Sequence, residues 1–256
     1  MRQLTQQSGH SRAKLNRIVD YWLKEEPPAI NGSLEHYRHL IFDGTFLHRP
    51  VSLVALMDAE ANSIVAGHYG ISENSERQLN SFFKPLIARG LNPVSCTVDG
   101  NPQAIRVLKA LWPETVIQRC LVHIQRQGLM WCRRYPKTAS AQRLRDIFLC
   151  VTHIQTKEER DKFVELTIQW ERKYGQYIEI QPERGRVFSD IKRARSMLMK
   201  ALPDMFHYLD DPNISFTTNG LESYFSRLKG HYRHHRGLRK NTLEDYFDWY
   251  FYLRPK

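Results

Sequence analysis

The chain is poor in cysteine and has no long apolar run. Its four cysteines form no CxxC pair, so they indicate no structural zinc site and should be reduced thiols: Cys96, Cys120, Cys132 and Cys150. No run approaches the roughly 18 apolar residues that a membrane span needs. The polar N-terminus lacks the apolar segment of a secretory signal. These absences predict a cytoplasmic protein without a membrane partner.

Acidic residues are outnumbered by basic ones. Lys and Arg total 38 against 27 Asp and Glu, a formal charge of +11 in 256 residues. This excess favours a polyanionic partner, most simply nucleic acid, although a basic protein without such a partner has the same composition. The cations cluster in three segments, which favours nucleic acid further: Arg119–Arg134, Lys192–Lys200 and Arg227–Lys240.

Hydrophobic periodicity predicts a mixed α/β core within residues 38–256. Three apolar runs with short loops predict an antiparallel meander, at Leu40–Leu47, Val51–Met57 and Ser63–Tyr69. Helices then alternate with strands, at Ser75–Arg89, Val94–Val98, Pro102–Leu111 and Thr115–Arg119. The order βββαβαβ predicts a mixed sheet with helices packed on it.

A charged, helix-periodic stretch over about residues 124–212 predicts a large all-helical insertion in this core. Its helices are expected at Ala141–Val151, Lys157–Tyr174 and Phe188–Leu209. Two final helices should follow, at Asn219–Lys229 and Leu243–Leu253.

Residues 1–25 predict a helix-turn-helix, and residues 26–37 a linker. Gly9 suits the turn, Ser11 the cap of the second helix, and Leu15 and Ile18 the packing face. The second helix would enter the major groove, with these side chains towards DNA: Ser11, Arg12, Lys14 and Arg17. The alternative is an amphipathic hairpin that packs on the core. A complete domain normally has one more helix before Leu4, so we expect a shortened DNA-binding region.

Two aspartates follow buried strands and precede glycines. Asp43 lies in Leu40-Ile41-Phe42-Asp43-Gly44, and Asp99 in Cys96-Thr97-Val98-Asp99-Gly100. Strand ends of such sheets commonly bind ligands, and glycine allows close approach. Each Asp-Gly alone also fits a simple turn. If the two strands are neighbours, the two carboxylates converge.

Glu222 is a third acidic candidate. It follows Asn219 by three residues, and this spacing also fits a capping box in which Asn219 is the N-cap. Three carboxylates suit phosphodiester cleavage, because two Mg²⁺ ions roughly 4 Å apart activate a water and stabilise the leaving oxygen. Mg²⁺ prefers such hard oxygen ligands.

Four ordered motifs together resemble the Mutator-like transposases and their bacterial insertion-sequence relatives, over about residues 38–250. They are Phe42-Asp43-Gly44-Thr45, Thr97-Val98-Asp99-Gly100, Arg119-Cys120-Leu121-Val122-His123 and Thr218-Asn219-Gly220-Leu221-Glu222-Ser223. In that family an acidic triad on a ribonuclease H-like core performs the chemistry. A Cys-x-x-His pair follows the second Asp, and a helical insertion precedes the final Glu.

The resemblance implies a ribonuclease H-like fold here, with Asp43, Asp99 and Glu222 as catalytic and metal-binding residues. Cys120, His123 and Asn219 should lie close to them as supporting residues. For the Cys120/His123 pair, positioning is favoured over metal binding, because magnesium chemistry prefers oxygen ligands.

The basic segment after the Glu222 helix suits contact with phosphates near the cut, and a solvated basic loop is the alternative. The side chains expected to bind DNA there are Arg227, Lys229, Arg233 and Arg236.

The resemblance implies a DDE-type DNA transposase that binds the ends of its insertion sequence and cuts and rejoins DNA with Mg²⁺, for which Mn²⁺ can substitute. Its expected partners are double-stranded DNA, at the element ends and the target, and at least one further copy of the chain. Its expected location is the bacterial cytoplasm, at the nucleoid. Two alternatives are an inactive, domesticated DNA-binding derivative and a ribonuclease H-like nuclease without strand transfer. The triad argues against the first, and the helix-turn-helix against the second.

Overall fold

The computed structural model describes residues 2–28, 32–49, 51–180, 186–234, 238 and 242–256. The strands are β1 His39–His48, β2 Val51–Asp58, β3 Ser63–Ile71, β4 Ser95–Val98 and β5 Val116–Arg119. The helices are α1 Arg2–Ser8, α2 Arg12–Trp22, α3 Glu76–Ala88, α4 Pro102–Leu111, α5 Leu121–Cys132, α6 Ala139–Cys150, α7 Lys157–Trp170, α8 Gln176–Ile180, α9 Arg186–Ala201, α10 Asn219–Arg233 and α11 Leu243–Leu253. Within these ranges no helix has the length and apolar character of a membrane span.

One mixed sheet forms the centre of the fold, in the order β3-β2-β1-β4-β5. The first three strands form the antiparallel meander that the sequence predicts, and β4 and β5 lie parallel to β1. The parallel pairing of β1 with β4 sets Phe42 opposite Val98. The prediction of a mixed α/β fold is therefore confirmed.

Different helices cover the two faces of the sheet. Phe42 of β1 packs against Phe83 of α3, with ring centroids 5.2 Å apart, and α4 covers the same face. Its neighbour Ile41 belongs to the apolar cluster that β1 shares with α10 and α11 on the opposite face. Because side chains alternate along a strand, Asp43 points to the same side as Ile41. The fold therefore presents this carboxylate to the α10 face.

The helical insertion between β5 and α10 has an apolar core of its own. Helices α5, α6, α7 and α9 all contribute to it, with fully buried side chains that include Leu144, Phe148 and Leu198. The predicted all-helical character is thus confirmed. Helix α5 was not among the predicted helices, because it begins after Cys120 without a side-chain cap.

The predicted helix over Phe188–Leu209 was too long. The structure has α9 ending at Ala201, and a 3₁₀ turn over Leu202–Asp204 follows. Pro203 is the reason, because its ring disfavours helical geometry in the residue before it.

At the N-terminus, α1 and α2 form the predicted pair of helices. Gly9 has a φ of +66°, and Ser11 caps α2 by accepting a hydrogen bond from the Lys14 N–H at 3.3 Å. Leu15 is buried as predicted, whereas Ile18 is 40% exposed. A helical pair is therefore present, but its apolar face is only partly covered.

The helical pair also contacts the core. Trp249 of α11 donates its indole N–H to the carbonyl oxygens of Trp22 at 2.8 Å and Glu25 at 3.0 Å. Further on, Leu34 of the predicted linker is buried in the core, and its N–H donates to the carbonyl of Arg89. Part of the predicted linker thus packs on the sheet domain.

We predict opposite stability effects for two helical glycines. A methyl group at Gly128 of α5 would lie 2.3 Å from the Phe148 ring, whereas one at Gly230 of α10 would meet nothing within 4 Å. Gly128→Ala should lower the free energy of unfolding by about 1–3 kcal/mol through overpacking. Gly230→Ala should raise it by about 0.5–1 kcal/mol through helix propensity. Urea unfolding of both variants tests this, and a stabilised Gly128→Ala protein would contradict the packing described here.

Candidate active site

Asp43 and Asp99 lie side by side on two inner strands of the sheet, where the parallel pairing of β1 and β4 ends. The sequence predicts this for neighbouring strands. We call this end of the paired strands the acidic edge of the sheet. Pairing between β1 and β4 ends at Phe42 and Val98, so each Asp directly follows the last pair. One detail differs from the prediction. Asp43 does not end β1, because the strand continues to His48 and Asp43 itself pairs with Ala55 of β2.

The Asp43 carboxyl is buried, with only 7% of the residue exposed. Its Oδ1 accepts the Gly44 N–H at 2.8 Å. Burial and the nearby Asp99 carboxylate raise the pKa of Asp43 to about 8, although the Gly44 hydrogen bond and His123 oppose the shift. A carboxyl held in this way favours a proton or a cation beside it.

A further carboxylate, Glu73, joins this edge and was not predicted. The loop after β3 brings it over Gly44, where a Cβ would lie 1.3 Å from Glu73 Oε1. Gly44 therefore makes room for a second acid beside Asp43. Burial and Asp99 raise the pKa of Glu73 to about 7, with Asn101 opposing the shift through a hydrogen bond. The signal in the sequence was an acidic residue after a strand that runs parallel to β1.

Glu222 lies in the first turn of α10 and faces α5. Its Oε1 is 3.4 Å from His123 Nε2, and its Oε2 accepts a hydrogen bond from Arg126 Nη2 at 3.3 Å. Arg126 is a second residue at the site that sequence reasoning missed. It lies three residues after His123 on one face of α5, a spacing that could have indicated it.

The capping box that the spacing of Asn219 and Glu222 also fits does not form. Helix α10 begins at Asn219 with Thr218 as its N-cap, and no side chain caps it. The Asn219 side chain is exposed, and its backbone N–H donates to Thr217 Oγ1 at 3.1 Å. This alternative is excluded because Glu222 turns towards His123 instead of back towards the cap.

Cys120 and His123 connect the end of β5 to the start of α10. The Cys120 sulfur is fully buried and accepts the Thr218 N–H at 3.3 Å, while His123 Nδ1 lies 3.3 Å from the sulfur. Burial alone would raise the pKa of Cys120, but hydrogen bonds from His123 and Thr218 lower it to about 7. The hydrogen bond with Cys120 chiefly raises the pKa of His123, to about 9, with Asp43 and Asp99 contributing. His123 therefore connects Glu222, which it contacts through Nε2, to the charges of the two aspartates.

The acidic residues fit a hard cation, although they are not closely gathered. Among the described residues, the ligand oxygens of Asp43, Asp99 and Glu222 do not all lie within 4.8 Å of one another. The buried Oε1 of Glu73 has no hydrogen-bond partner, and the buried Oε1 of Glu222 has only the ion-pair contact with His123. Carboxylate oxygens of this kind match the ligands that Mg²⁺ prefers.

Lys229 lies at the same edge of the sheet. Its Nζ donates a hydrogen bond to Thr45 Oγ1, two residues after Asp43. Burial lowers the pKa of Lys229, and the Asp43 carboxylate opposes that shift. A predicted DNA-binding residue is thus beside the catalytic candidates.

The other predicted DNA-binding residues that the structure describes are exposed. Arg227 and Arg233 are exposed on α10, and Arg236 lies outside the described residues. The candidates of the N-terminal helical pair are also exposed: Ser11, Arg12, Lys14 and Arg17.

Replacing Cys120 by Ala should weaken the site more than the fold. The variant loses the sulfur that accepts the Thr218 N–H, so α10 and Glu222 lose an anchor. If the chain cuts DNA with a metal, as the sequence resemblance implies, cleavage should fall by about 10–100-fold, as for other residues that orient metal ligands. Cys96→Ala is the matched control, because Cys96 is equally buried but belongs to β4. Similar thermal stability with activity lost only in Cys120→Ala is the expected result. Equal activity of the two variants would contradict the positioning role.

A comparison with known protein families gives a match, and the matched segment contains several residues of this site. A family model described as "Transposase, Mutator family" matches residues 43–195, more than half of the chain. The match begins at Asp43 and includes Asp99, Cys120 and His123, while Glu222 lies beyond its end. No curated protein gives a significant match to the chain.

Proposed function

The chain belongs to the Mutator family of transposases, and from this premise we propose that it is a DDE-type enzyme that cuts and rejoins DNA at the ends of its own insertion sequence. The observation that supports the proposal most is the grouping of Asp43, Asp99 and Glu73 where β1 and β4 stop pairing, with Glu222 joined to this group through His123. Transposases act on DNA, and the formal charge of +11 suits that partner.

The proposed core is ribonuclease H-like, with the helical insertion before the last catalytic helix. The element order and the mixed sheet support it. The N-terminal helical pair is proposed to bind the element ends as a helix-turn-helix, with its exposed cations towards DNA. Two ends must be paired, so a dimer or larger assembly on DNA is part of the proposal, as is a location at the nucleoid.

Asp43, Asp99 and Glu222 would hold Mg²⁺, or Mn²⁺ in its place. Bound there, the metal would lower the pKa of a water and stabilise negative charge on the phosphate and the leaving oxygen. The raised pKa of Asp43 and the unpartnered Oε1 of Glu73 support a cation at this position. Glu73 interacts electrostatically with both aspartates, so it would add negative charge for that cation.

The remaining side chains have roles that follow from their contacts. His123 and Arg126 each contact one oxygen of Glu222, so together they would orient its carboxylate. Lys229 is placed to receive a phosphate oxygen near Asp43, since its ammonium group is half-buried beside that residue. A positive charge at the cut binds DNA and stabilises charge that develops on the phosphate.

Strand joining tests the proposal. The wild-type chain is incubated with labelled DNA that carries an element end and with a plasmid target in Mg²⁺. Labelled plasmid is the expected product, because a transposase uses a freed 3′-hydroxyl to attack a second phosphate. Nicks without joined product in Mg²⁺ and Mn²⁺ would support the nuclease instead. Binding without nicks would support the inactive derivative.

A further inference from the structure

A basic groove runs along the insertion, beside the catalytic edge. It lies between α4 and α9 and has a volume of about 1130 Å³. Seven Lys and Arg side chains line it, against two carboxylates. Its main cations are Arg106 and Lys109 of α4, Arg119 at the end of β5, and Lys192, Arg193 and Lys200 of α9. We call this surface the α4/α9 groove.

Ion pairs within the protein account for only part of this charge. Four of the seven cations have carboxylate partners: Arg106 pairs with Glu76, Lys109 with Asp204, Arg193 with Asp190, and Arg195 with Glu171 and Glu179. Such pairs hold the insertion together and attach it to the core. Among the described residues, Lys192 and Lys200 have no ion-pair partner. These two lysines therefore line the groove without a protein carboxylate to balance their charge.

Arg119 is an unusual cation of this groove. Only 8% of the residue is exposed, and its buried Nε atom has no hydrogen-bond partner. Its Nη2 lies 3.4 Å from the carbonyl oxygen of Asp99, to which it donates. A guanidinium that is buried and incompletely bonded suits a phosphate, which accepts two of its N–H groups side by side.

Gly100 connects the groove to the catalytic edge. It follows Asp99 directly, lines the groove, and has a φ of +112°. A Cβ at this position would lie 1.8 Å from Arg119 Nη2, so only glycine lets the Arg119 side chain lie against the backbone. The groove thus begins one residue from a proposed metal ligand.

We propose that the α4/α9 groove binds the sugar–phosphate backbone of duplex DNA as it approaches the Asp43–Asp99 edge. This inference rests on the proposed function, because the DNA that lies in the groove would be the DNA that is cut in that reaction. Lys192 and Lys200 contact phosphates along the groove, and Arg119 contacts the phosphate nearest the cut. These contacts are independent of sequence, since they involve the backbone only.

The test measures DNA affinity without catalysis. A fluorescently labelled duplex of arbitrary sequence is titrated with the full chain in EDTA, and anisotropy is recorded at several NaCl concentrations. The groove variant is Lys192→Gln/Lys200→Gln. The matched control is Lys84→Gln/Lys137→Gln, which removes the same charge from two exposed lysines outside the groove. Circular dichroism and thermal melting verify the fold of each variant. A second groove variant, Lys192→Arg/Lys200→Arg, keeps the charge.

We expect the groove variant to bind about tenfold or more weakly at low salt, with the control and the Arg variant close to wild type. The logarithm of the DNA association constant falls linearly with the logarithm of the NaCl concentration, with a slope of about −0.9 for each phosphate contact. The groove variant loses two contacts, so the magnitude of its slope should be smaller by about 1.8. If it binds like the control while the wild type binds and cuts DNA, the groove inference is wrong and the proposed function stands. If the wild type binds no DNA, both are wrong.

Discussion

Asp43→Asn should abolish DNA cleavage and at the same time make the metal-free protein more stable at about pH 8. The carboxylate is a proposed metal ligand, and the amide is a poor one. Losing metal stabilisation worth several kcal/mol should reduce the cleavage rate by at least about 1000-fold, since each factor of ten corresponds to about 1.4 kcal/mol. The Asn side chain can still accept the Gly44 N–H, so the local fold should persist.

The stability effect follows from the pKa of Asp43, which burial and Asp99 raise to about 8. Between about pH 4 and pH 8 the unfolded chain has lost this proton and the folded chain keeps it. The wild type therefore loses stability as pH rises through that window, by up to about 1.4 kcal/mol per pH unit. An Asn side chain does not titrate, so the stability of Asp43→Asn does not have this dependence on pH. The difference in the free energy of unfolding between the variant and the wild type should therefore be absent in acid. It should be largest at or above the raised pKa of Asp43.

Thermal unfolding in EDTA at several pH values measures the difference in stability between Asp43→Asn and the wild type. In a second series, added Mg²⁺ should stabilise only the wild type. Asp58→Asn is the matched control, because Asp58 is a similarly buried aspartate of the same sheet but accepts the Ala61 N–H in a hairpin turn. This variant should cut DNA like the wild type. A variant Asp43→Asn that cuts like wild type would contradict the role of Asp43.

Glu222→Gln is expected to have the second large effect. Glu222 and glutamine have the same shape, but the amide cannot hold Mg²⁺ with comparable strength, so cleavage should again fall by at least about 1000-fold. Binding of DNA should persist or rise slightly, because a negative charge is removed from a basic surface. The variant also weakens the contacts with His123 and Arg126.

The matched control is Glu165→Gln on α7, an exposed carboxylate in the insertion. It should cut like the wild type. Single-turnover cleavage and gel shift on the same samples separate chemistry from binding. If Glu222→Gln instead loses DNA binding and not the cleavage step, Glu222 supports the folded structure and takes no part in the reaction.

The sequence predicted that Asp43 and Asp99 follow buried strands, but it left open whether those strands are neighbours; the structure shows that β1 and β4 pair. Glu73 could not be predicted in this way. The sequence pattern ends the third strand at Tyr69, so Glu73 looks like one of several polar loop residues. Its contact with Gly44 arises only when the loop after β3 folds back over β1.

The surroundings of Glu222 show a second limit. Local spacing from Asn219 favoured a capping box, but the partner that decides the side-chain direction is His123, about a hundred residues away in the chain. The link through Cys120 to Thr218 is equally long-range. The motif order of a known family, rather than periodicity, indicated that these segments work together.

The central claim is that this acidic edge cuts DNA with a divalent metal. Its most direct test mixes the wild-type chain with labelled element-end DNA, in Mg²⁺ or in EDTA, and follows binding and nicking in the same samples. We expect DNA to be bound in both and nicked only with Mg²⁺. DNA that is bound but never nicked with Mg²⁺ or Mn²⁺, or that is nicked equally in EDTA, would contradict the claim.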